Sequence, residues 1–368
     1  MSSSWFQRYL LPGFAFKAVV IGGGYATGRE LVEFFLPSGP RGGVWAIALG
    51  ATLWSLVCIA TFLLARITHS YDYRTFFQHV LGRAWFVFEI AYSFFIVLIL
   101  AVFGAAAGAI GHAMFEWPVI VGTLCLLLAI AFVVAYGNTS VEQLFKWVSI
   151  FLYGVYALFI VLTLSNFGGK ILSAFSLDVP TKGWVAAGIT YASYNIVGAV
   201  VILPVLRHLT SNRDAVIAGA LAGPLAMIPA LLFFISMVAF YPQIAAEALP
   251  SDFILQRLNL PIFHVVFQLM IFAALLESGV GSVHAVNERI SHVWKTRYGH
   301  ELSVQQRLGS AAILLIIAMV LADRFGLVTL IARGYRALAY VIVAVYVLPL
   351  LTFGAWRLWR GREVLVPT

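Results

Sequence analysis

The composition of this 368-residue chain excludes an ordinary water-soluble protein. Only 10% of its residues are charged and 62% are hydrophobic, whereas a soluble domain carries about a quarter charged residues. The net charge of +8 does not indicate a nucleic acid partner, because the basic residues lie singly in short loops and at the C-terminus, with no basic patch. The chain is therefore predicted to be an integral membrane protein surrounded by lipid.

Ten apolar segments follow one another along the chain, each long enough to cross a hydrocarbon core of about 30 Å. We expect each to be a helix, because an isolated strand would leave backbone groups unpaired in lipid. The predicted spans, numbered one to ten, cover residues 13–36, 43–67, 84–112, 118–136, 142–166, 183–206, 214–241, 261–290, 306–323 and 327–355. No soluble domain is left between them.

The basic residues favour one orientation of these spans. With a cytoplasmic N-terminus, about fourteen Lys and Arg residues fall in inside segments and about six in outside segments. The positive-inside rule then places both termini in the cytoplasm. We expect a multi-pass protein of the cytoplasmic (inner) membrane.

Two pairs of segments indicate an internal repeat. Residues 13–28 in span one and 183–198 in span six share their length, their terminal glycines and a polar middle. The polar segment 72–78 before span three faintly resembles 252–256 before span eight. Since five spans separate each pair, the halves would be inverted across the membrane. The prediction is one domain over 1–368, with repeat one at about 13–166 and repeat two at about 183–355.

Span one contains three consecutive glycines, Gly22, Gly23 and Gly24, near its middle. Each costs about 1 kcal/mol relative to Ala in a helix interior, so local unwinding is expected. The freed backbone groups would then bind an ion or a solute. Close packing against another helix is the alternative, although packing motifs usually space small residues by four.

Span six places its polar side chains at the matching position, in residues 190–198. Such groups should face a cavity or the bundle interior, since they are costly in lipid without partners. A hydrogen-bonded cluster between helices is the alternative to a substrate pocket. The candidate substrate-binding residues of the two segments are Gly22, Gly23, Gly24, Tyr25, Thr27, Tyr191, Ser193, Tyr194 and Asn195.

Span eight carries Glu277 within an apolar run. A carboxylate at that depth costs on the order of 3 kcal/mol and indicates function by default. Because burial disfavours the charged form, Glu277 is a candidate proton carrier. The alternative is a structural pair with Lys17 or Arg336. His284 is more typical of an interior hydrogen-bonded histidine.

Other polar residues in the spans leave alternatives open. Glu89 could line the pathway or reach the interface, and Tyr92, one turn further, joins the substrate candidates. Lys146 lies near the start of span five, where snorkelling explains a lysine. Arg29 and Glu30 could form an extracellular gate or a solvated ion-pair cluster.

Three stretches resemble one family. The run Gly-Gly-Gly-Tyr-Ala-Thr-Gly-Arg-Glu at 22–30, together with residues 279–289 and 326–335, is similar to the bacterial YkvI-like membrane proteins. The chain departs from that pattern with Gly23 for Ala, Tyr25 for Phe and Arg29 for Gln. The family is placed with the amino acid–polyamine–organocation transporters of LeuT-type fold.

The resemblance implies ten core helices in a five-plus-five inverted repeat, with broken helices one and six. It also implies a cation site between spans one and eight, in which carbonyls of Val20 and Gly23 and hydroxyls of Ser278 and Ser282 would hold sodium beside Glu277. The Asp-Pro-Gly-Asn and Met-Pro-His motifs of metal-transporting relatives are absent from this sequence.

These features predict a secondary transporter of a small polar organic solute, amino-acid-like or zwitterionic, coupled to Na⁺ or H⁺. No cofactor beyond the coupling ion is expected. A channel or facilitator and a non-transporting membrane sensor are the alternatives. No phosphate-binding loop or nucleophile–base constellation is visible, so an enzyme is not expected. The solute, the coupling ion, the transport direction and the oligomeric state stay open.

Overall fold

The protein is described here by a computed structural model over residues 4–21, 23–135, 138–300 and 302–356, and those ranges contain helices but no strand. The α-helices are α1 (Trp5–Tyr9), α2 (Leu11–Val20), α3 (Gly23–Ala26), α4 (Arg29–Phe35), α5 (Gly39–Ile67), α6 (Tyr73–Leu81), α7 (Trp85–Phe115), α8 (Val119–Ala135), α9 (Asn138–Ser176), α10 (Trp184–Asn195), α11 (Gly198–Val201), α12 (Asn212–Val238), α13 (Pro250–Leu258), α14 (Pro261–Tyr298), α15 (Val304–Thr329) and α16 (Arg336–Ile342). Span ten also contains π-helical turns at Leu330–Tyr335, Val343–Val347 and Leu350–Gly354.

Helices long and apolar enough to cross a membrane dominate the described residues. Seven stretches qualify: Arg29–Ile67, Tyr73–Phe115, Phe151–Ser176, Trp184–Val201, Asn212–Val238, Pro261–Ser291 and Gln305–Gly354. The shorter apolar helices Leu11–Val20 and Val119–Ala135 lie where the first half of span one and span four were predicted. Within the described residues every predicted span is mainly helical, and the predicted all-helical membrane fold is confirmed. The count of ten separate spans stays a prediction.

Span one is broken close to its three consecutive glycines, although Gly23 and Gly24 themselves lie in the helical turn α3. Helix α2 ends at Val20, where Ile21 leaves the helical region with ψ 74°, and the single turn of α3 follows. Gly28 then adopts φ 80° before α4 begins. A Cβ atom at Gly28 would have unfavourable backbone geometry and would lie 2.8 Å from Cε of Met237. Gly22 lies outside the described residues.

Span six is interrupted near the end of its polar segment 190–198. Helix α10 continues through Ser193 and Asn195, and a turn at Ile196 and Val197 separates it from α11. The interruption of span six therefore falls within the polar segment 190–198, but after Ser193 and Asn195. Ser193 Oγ donates to the Ile189 carbonyl at 2.6 Å and Asn195 Nδ2 donates to the Tyr191 carbonyl at 3.3 Å. Because the helix itself satisfies both polar groups, they do not require a break.

Small residues bring the central helices close together. A Cβ atom at Gly223 of α12 would lie 2.0 Å from the Ala51 carbonyl oxygen of α5. A Cβ atom at Gly122 of α8 would lie 2.4 Å from the Ala107 carbonyl oxygen of α7. Such close backbone approach is how membrane helices gain packing energy without a hydrophobic driving force. Of these four helices, α7 also lines the cavity described below.

The two polar segments noted before spans three and eight both fold as short helices. Residues 72–78 overlap α6, which Asp72 caps by accepting a hydrogen bond from the Thr75 amide at 2.9 Å. Residues 252–256 lie in α13. The division into two inverted repeats stays a prediction.

Candidate functional site

A cavity of about 340 Å³ lies beside the break in span one. The end of α2 forms one wall, α7 and α9 form a second, and α14 forms a third. The lining residues are Ala18, Val19, Ile21, Tyr92, Phe95, Ile96, Ile99, Phe103, Leu152, Tyr153, Val201, Ala274, Glu277, Ser278, Gly281, Ser282 and Ala285. Most of this wall is apolar, and its polar groups come mainly from α14. Cavities that bind small organic ligands share this composition.

Four predicted site residues meet in this cavity: Tyr92, Glu277, Ser278 and Ser282. Ser278 and Ser282 lie one turn apart on α14, and Glu277 directly precedes Ser278. Ser282 Oγ donates to the Ser278 carbonyl at 2.8 Å, which leaves its lone pairs available as acceptors. Val20 is buried, and its neighbour Ile21 lines the cavity instead.

Two basic residues were considered as partners of Glu277, Lys17 and Arg336, and neither lines the cavity. The Lys17 ammonium lies 4.2 Å from the ring centroid of Tyr153, which lines the same cavity as Glu277. Arg336 has an exposed side chain on span ten. The side chain of Lys146 lies outside the described part of the chain. His284 is half-buried on α14 and does not line the cavity.

The predicted residues of span six lie apart from this cavity, in a buried aromatic cluster. Tyr191 packs against Phe35 with ring centroids 4.7 Å apart, and Tyr194 packs against Tyr335 at 4.6 Å. Tyr194 donates a hydrogen bond to Glu30 Oε2 at 2.8 Å. None of Tyr191, Ser193, Tyr194 and Asn195 lines the cavity. We call Glu30, Tyr191, Tyr194 and Tyr335 the Glu30 cluster.

Tyr25 and Thr27, also predicted as substrate contacts, are buried in the broken part of span one. Tyr156 donates a hydrogen bond to the Tyr25 hydroxyl at 3.3 Å. Thr27 Oγ1 accepts a hydrogen bond from the Arg29 amide at 3.3 Å. The Thr27 carbonyl accepts from the Ser251 amide at 3.0 Å, which joins the break to the start of α13.

Arg29 fastens the second half of span one to the segment before α13. Its guanidinium donates to the carbonyls of Ala245 at 3.0 Å and Glu247 at 2.9 Å, and it pairs with Glu33 at 2.6 Å. Arg29 is only 6% exposed and Glu30 only 5%, so the alternative of a solvated ion-pair cluster is wrong. We call Arg29, Glu33 and the two carbonyls the Arg29 latch.

Arg289 contacts Tyr92 of the cavity wall, and no pattern in the sequence had marked it as a site residue. Its guanidinium carbon lies 4.0 Å from the ring centroids of both Tyr73 and Tyr92. Tyr73 donates a hydrogen bond to Glu89 at 2.8 Å. Arg289 follows Ala285, which lines the cavity, by one helical turn. That spacing was the available signal. We call Arg289, Tyr73 and Tyr92 the Arg289 clamp.

A second cavity of about 340 Å³ begins on the other side of this clamp. It is lined by Glu89, Ser93, Val286, Arg289, Ile290, Trp294 and Tyr298. Tyr92 lines the first cavity and Arg289 the second, so the clamp separates two adjacent spaces along α7 and α14.

No family model matches the chain. An uncharacterized membrane protein of Bacillus subtilis (strain 168), YkvI, is 22% identical over 335 residues, which cover 90% of this chain and 92% of that protein. Among solved structures, MhsT in complex with L-phenylalanine aligns with a TM-score of 0.55 at 18% identity, over 96% of this chain and 88% of that one. The chain is similar to YkvI over nearly its whole length and has a LeuT-type fold.

Two further solved structures share the LeuT-type fold. The manganese transporter of Eremococcus coleocola aligns with a TM-score of 0.54 at 14% identity, over 92% of this chain and 77% of that one. A Na⁺-coupled sialic acid symporter aligns with a TM-score of 0.50 at 13% identity, over 94% of this chain and 87% of that one. At these identities the likeness establishes the fold alone.

The three stretches that carry the YkvI resemblance lie around the two sites. Residues 22–30 contain the break and Glu30, and residues 279–289 run along the cavity to Arg289. Residues 326–335 begin at Gly326, which breaks α15 with φ 68°, and end at Tyr335 of the Glu30 cluster. The described residues of the three stretches therefore lie at the cavity and at the Glu30 cluster.

Proposed function

We propose that the protein is a secondary transporter that moves a small polar organic solute across the membrane by alternating access. The observation that carries this proposal is the cavity at the broken end of α2, whose wall includes Tyr92 of the Arg289 clamp. Broken helices beside a midplane cavity are how this class of protein exposes backbone groups to a solute. A cavity of about 340 Å³ suits a solute the size of an amino acid.

The solute would lie against the end of α2 and the polar face of α14. Ser278 and Ser282 offer hydroxyls, and Tyr92 and Tyr153 offer aromatic faces. Tyr25, Tyr191 and Tyr194, with the other predicted residues of both breaks, would reach the solute only after α4 moves. An amino-acid-like or zwitterionic solute agrees with this mixture of polar and aromatic surface. The similar solved proteins are described with L-phenylalanine, manganese and sialic acid, so the fold does not select among solutes.

The coupling cation would be held where spans one and eight meet. We propose the carbonyls of Val20 and Gly23, the hydroxyls of Ser278 and Ser282, and Glu277 as its oxygen ligands. Backbone carbonyls at a helix C-terminus favour a cation, because the helix dipole is negative there. The fold relationship to a Na⁺-coupled symporter supports sodium as the first ion to test.

During transport the Arg29 latch and the Arg289 clamp would open alternately, one at a time. With the N-terminus in the cytoplasm, the Arg289 clamp faces the cytoplasm and the Arg29 latch faces outside. We further propose that the protein lies in the cytoplasmic membrane with both termini inside, and that it has no enzymatic activity.

The experiment is solute accumulation in proteoliposomes. The purified protein is first screened by thermal shift against the protein amino acids, with and without Na⁺ and at several pH values. A stabilising compound is then offered in radiolabelled form under an inward Na⁺ or H⁺ gradient. We expect accumulation above the external concentration. Equilibration without accumulation would instead identify a facilitator, and no uptake of any stabilising compound would contradict transport.

A further inference from the structure

Glu30 is a buried carboxylate that does not line the cavity. It lies at the start of α4, two residues after the positive-φ Gly28, and is 5% exposed. Its hydrogen bond comes from the Tyr194 hydroxyl at 2.8 Å. The adjacent Arg29 turns away to Glu33 and the 245–247 segment. Among the described residues, no Lys, Arg or His pairs with Glu30.

The titratable groups facing Glu30 are phenols. Tyr191 and Tyr194 come from α10, Tyr335 comes from the π-helical turn of span ten, and Tyr25 comes from α3. The Tyr191 hydroxyl is fully buried without a hydrogen-bond partner in the described structure and lies within electrostatic range of Glu30. No cation is present in this set to balance a charged carboxylate.

Aromatic rings pack against Tyr191 and against α4, the helix that carries Glu30. Helix α5 contributes Trp54, whose ring centroid is 5.7 Å from that of Tyr191. Helix α12 contributes Phe234, which packs against Phe35 of α4. On α4 itself, Glu33 faces the Arg29 latch. An ionised carboxylate in such surroundings is costly without a paired cation, and taking up a proton removes that cost.

We propose that Glu30 is a proton-binding site whose occupancy closes the Arg29 latch side of the protein. In the closed arrangement Glu30 is neutral and held by Tyr194. When α4 swings away at Gly28, the carboxyl group reaches water and its O–H bond breaks, releasing the proton to that water. Binding a proton reverses the step, because a ligand shifts a two-state protein toward the state that binds it better.

This inference deepens the proposed function and rests on it, since it names the proton as a coupling ion and separates its site from the cation ligands around Glu277. Gly28, Arg29 and Glu30 are consecutive in the chain, so movement at Gly28 would displace both the Arg29 latch and the Glu30 carboxyl group. Protonation of Glu30 therefore reports directly on whether the latch side is closed.

The test measures closure without needing a known solute. Ser251 is fully buried behind the latch, and its amide bonds to the Thr27 carbonyl, so a cysteine there is accessible only when this contact opens. In a Cys125→Ser background, Ser251→Cys is labelled with a membrane-impermeant maleimide between pH 5 and 8 without Na⁺. The exposed Ala246→Cys in the same segment corrects for the pH dependence of the thiol reaction.

We expect the corrected labelling rate to fall on acidification, by up to about ten-fold per pH unit, the limit for one proton. Glu30→Gln imitates the neutral acid and should hold the rate low at every pH. The exposed Glu116→Gln should leave the pH dependence unchanged. A rate that does not vary with pH, or a pH dependence that survives Glu30→Gln, overturns the proposal.

A second measurement covers the case in which Glu30→Gln does not fold. The pH-difference infrared spectrum of the unmodified chain should contain a protonated-carboxyl band, and Tyr194→Phe should shift that band by removing its hydrogen bond. An unshifted band, or no band, overturns the proposal. Labelling needs no turnover, so Glu30-dependent closure without solute accumulation would contradict transport alone. Na⁺-driven accumulation with pH-independent labelling would contradict the proton site alone.

Discussion

Tyr194 donates a hydrogen bond to Glu30 across 2.8 Å and so joins span six to the second half of the broken span one. Both residues are buried, and the bond crosses the interface that must separate if α4 moves. A hydrogen bond to a buried acid between two half-helices can therefore stabilise one conformation of a transporter and be given up in the other.

Tyr194→Phe should lower the thermal stability of the closed protein. Losing the hydroxyl leaves Glu30 buried without its donor, which costs about 1–3 kcal/mol. The melting temperature of the purified variant measures this loss. Tyr340→Phe is the matched control, since Tyr340 is 72% exposed on span ten and should melt like the parent. Equal melting temperatures for both variants would show that the Tyr194 bond does not stabilise the fold.

Gly28→Ala should destabilise the protein at the hinge. The positive φ costs about 1 kcal/mol for a residue with a side chain, and the added methyl would lie 2.8 Å from Met237 and 3.2 Å from Phe233. Gly309→Ala is the control, because Gly309 lies within a helix with open space around its Cβ position. There alanine should stabilise by up to about 1 kcal/mol. If thermal melts show no difference between the two variants, the hinge geometry is wrong.

Arg289→Ala should open the cavity on the side of the Arg289 clamp. Removing the guanidinium removes two cation–π contacts, each worth about 0.5–2 kcal/mol. The readout is maleimide labelling of Ala285→Cys in inside-out vesicles, which should become several-fold faster. Arg333→Ala, an exposed arginine on span ten, is the control. A labelling rate that Arg289→Ala leaves unchanged would mean that the clamp does not close the cavity.

Ser282→Ala should weaken stabilisation by sodium if spans one and eight hold the coupling cation. Loss of one oxygen ligand should raise the sodium concentration needed for half-maximal thermal stabilisation by about ten-fold, equivalent to about 1.4 kcal/mol. Ser173→Ala is matched, since Ser173 makes the same bond to its own helix at 2.9 Å but is exposed. An identical sodium response in Ser282→Ala and the parent would remove Ser282 from the site.

Much of the fold could be predicted because lipid imposes simple constraints. The lengths of the apolar segments predicted the spans, and the three glycines at 22–24 predicted a break in span one. The break lies beside them, at Ile21 and at Gly28 with its positive φ, while Gly23 and Gly24 are helical. Glu277, Ser278 and Ser282 were also predictable members of the cavity, because Ser278 and Ser282 lie one turn apart on α14 and Glu277 directly precedes Ser278.

The arrangement around span six could not be predicted in the same way. Its polar residues suggested unwinding, but Ser193 and Asn195 bond to their own helix, and Tyr191 and Tyr194 turn toward Glu30. Which side of a helix faces the cavity depends on packing between distant spans. The position of Arg289 beside the cavity could not be predicted either, because an arginine near the end of a predicted span normally indicates the cytoplasmic interface.

The central claim is that one cavity is reached from one side of the membrane at a time. Ser278→Cys within the cavity, in the Cys125→Ser background, tests it when an impermeant maleimide is applied to right-side-out and to inside-out vesicles. The account predicts that conditions which speed labelling from one side, such as a change of pH or Na⁺, slow it from the other. Rapid labelling from both sides under one condition, or no labelling from either side under any, would contradict alternating access.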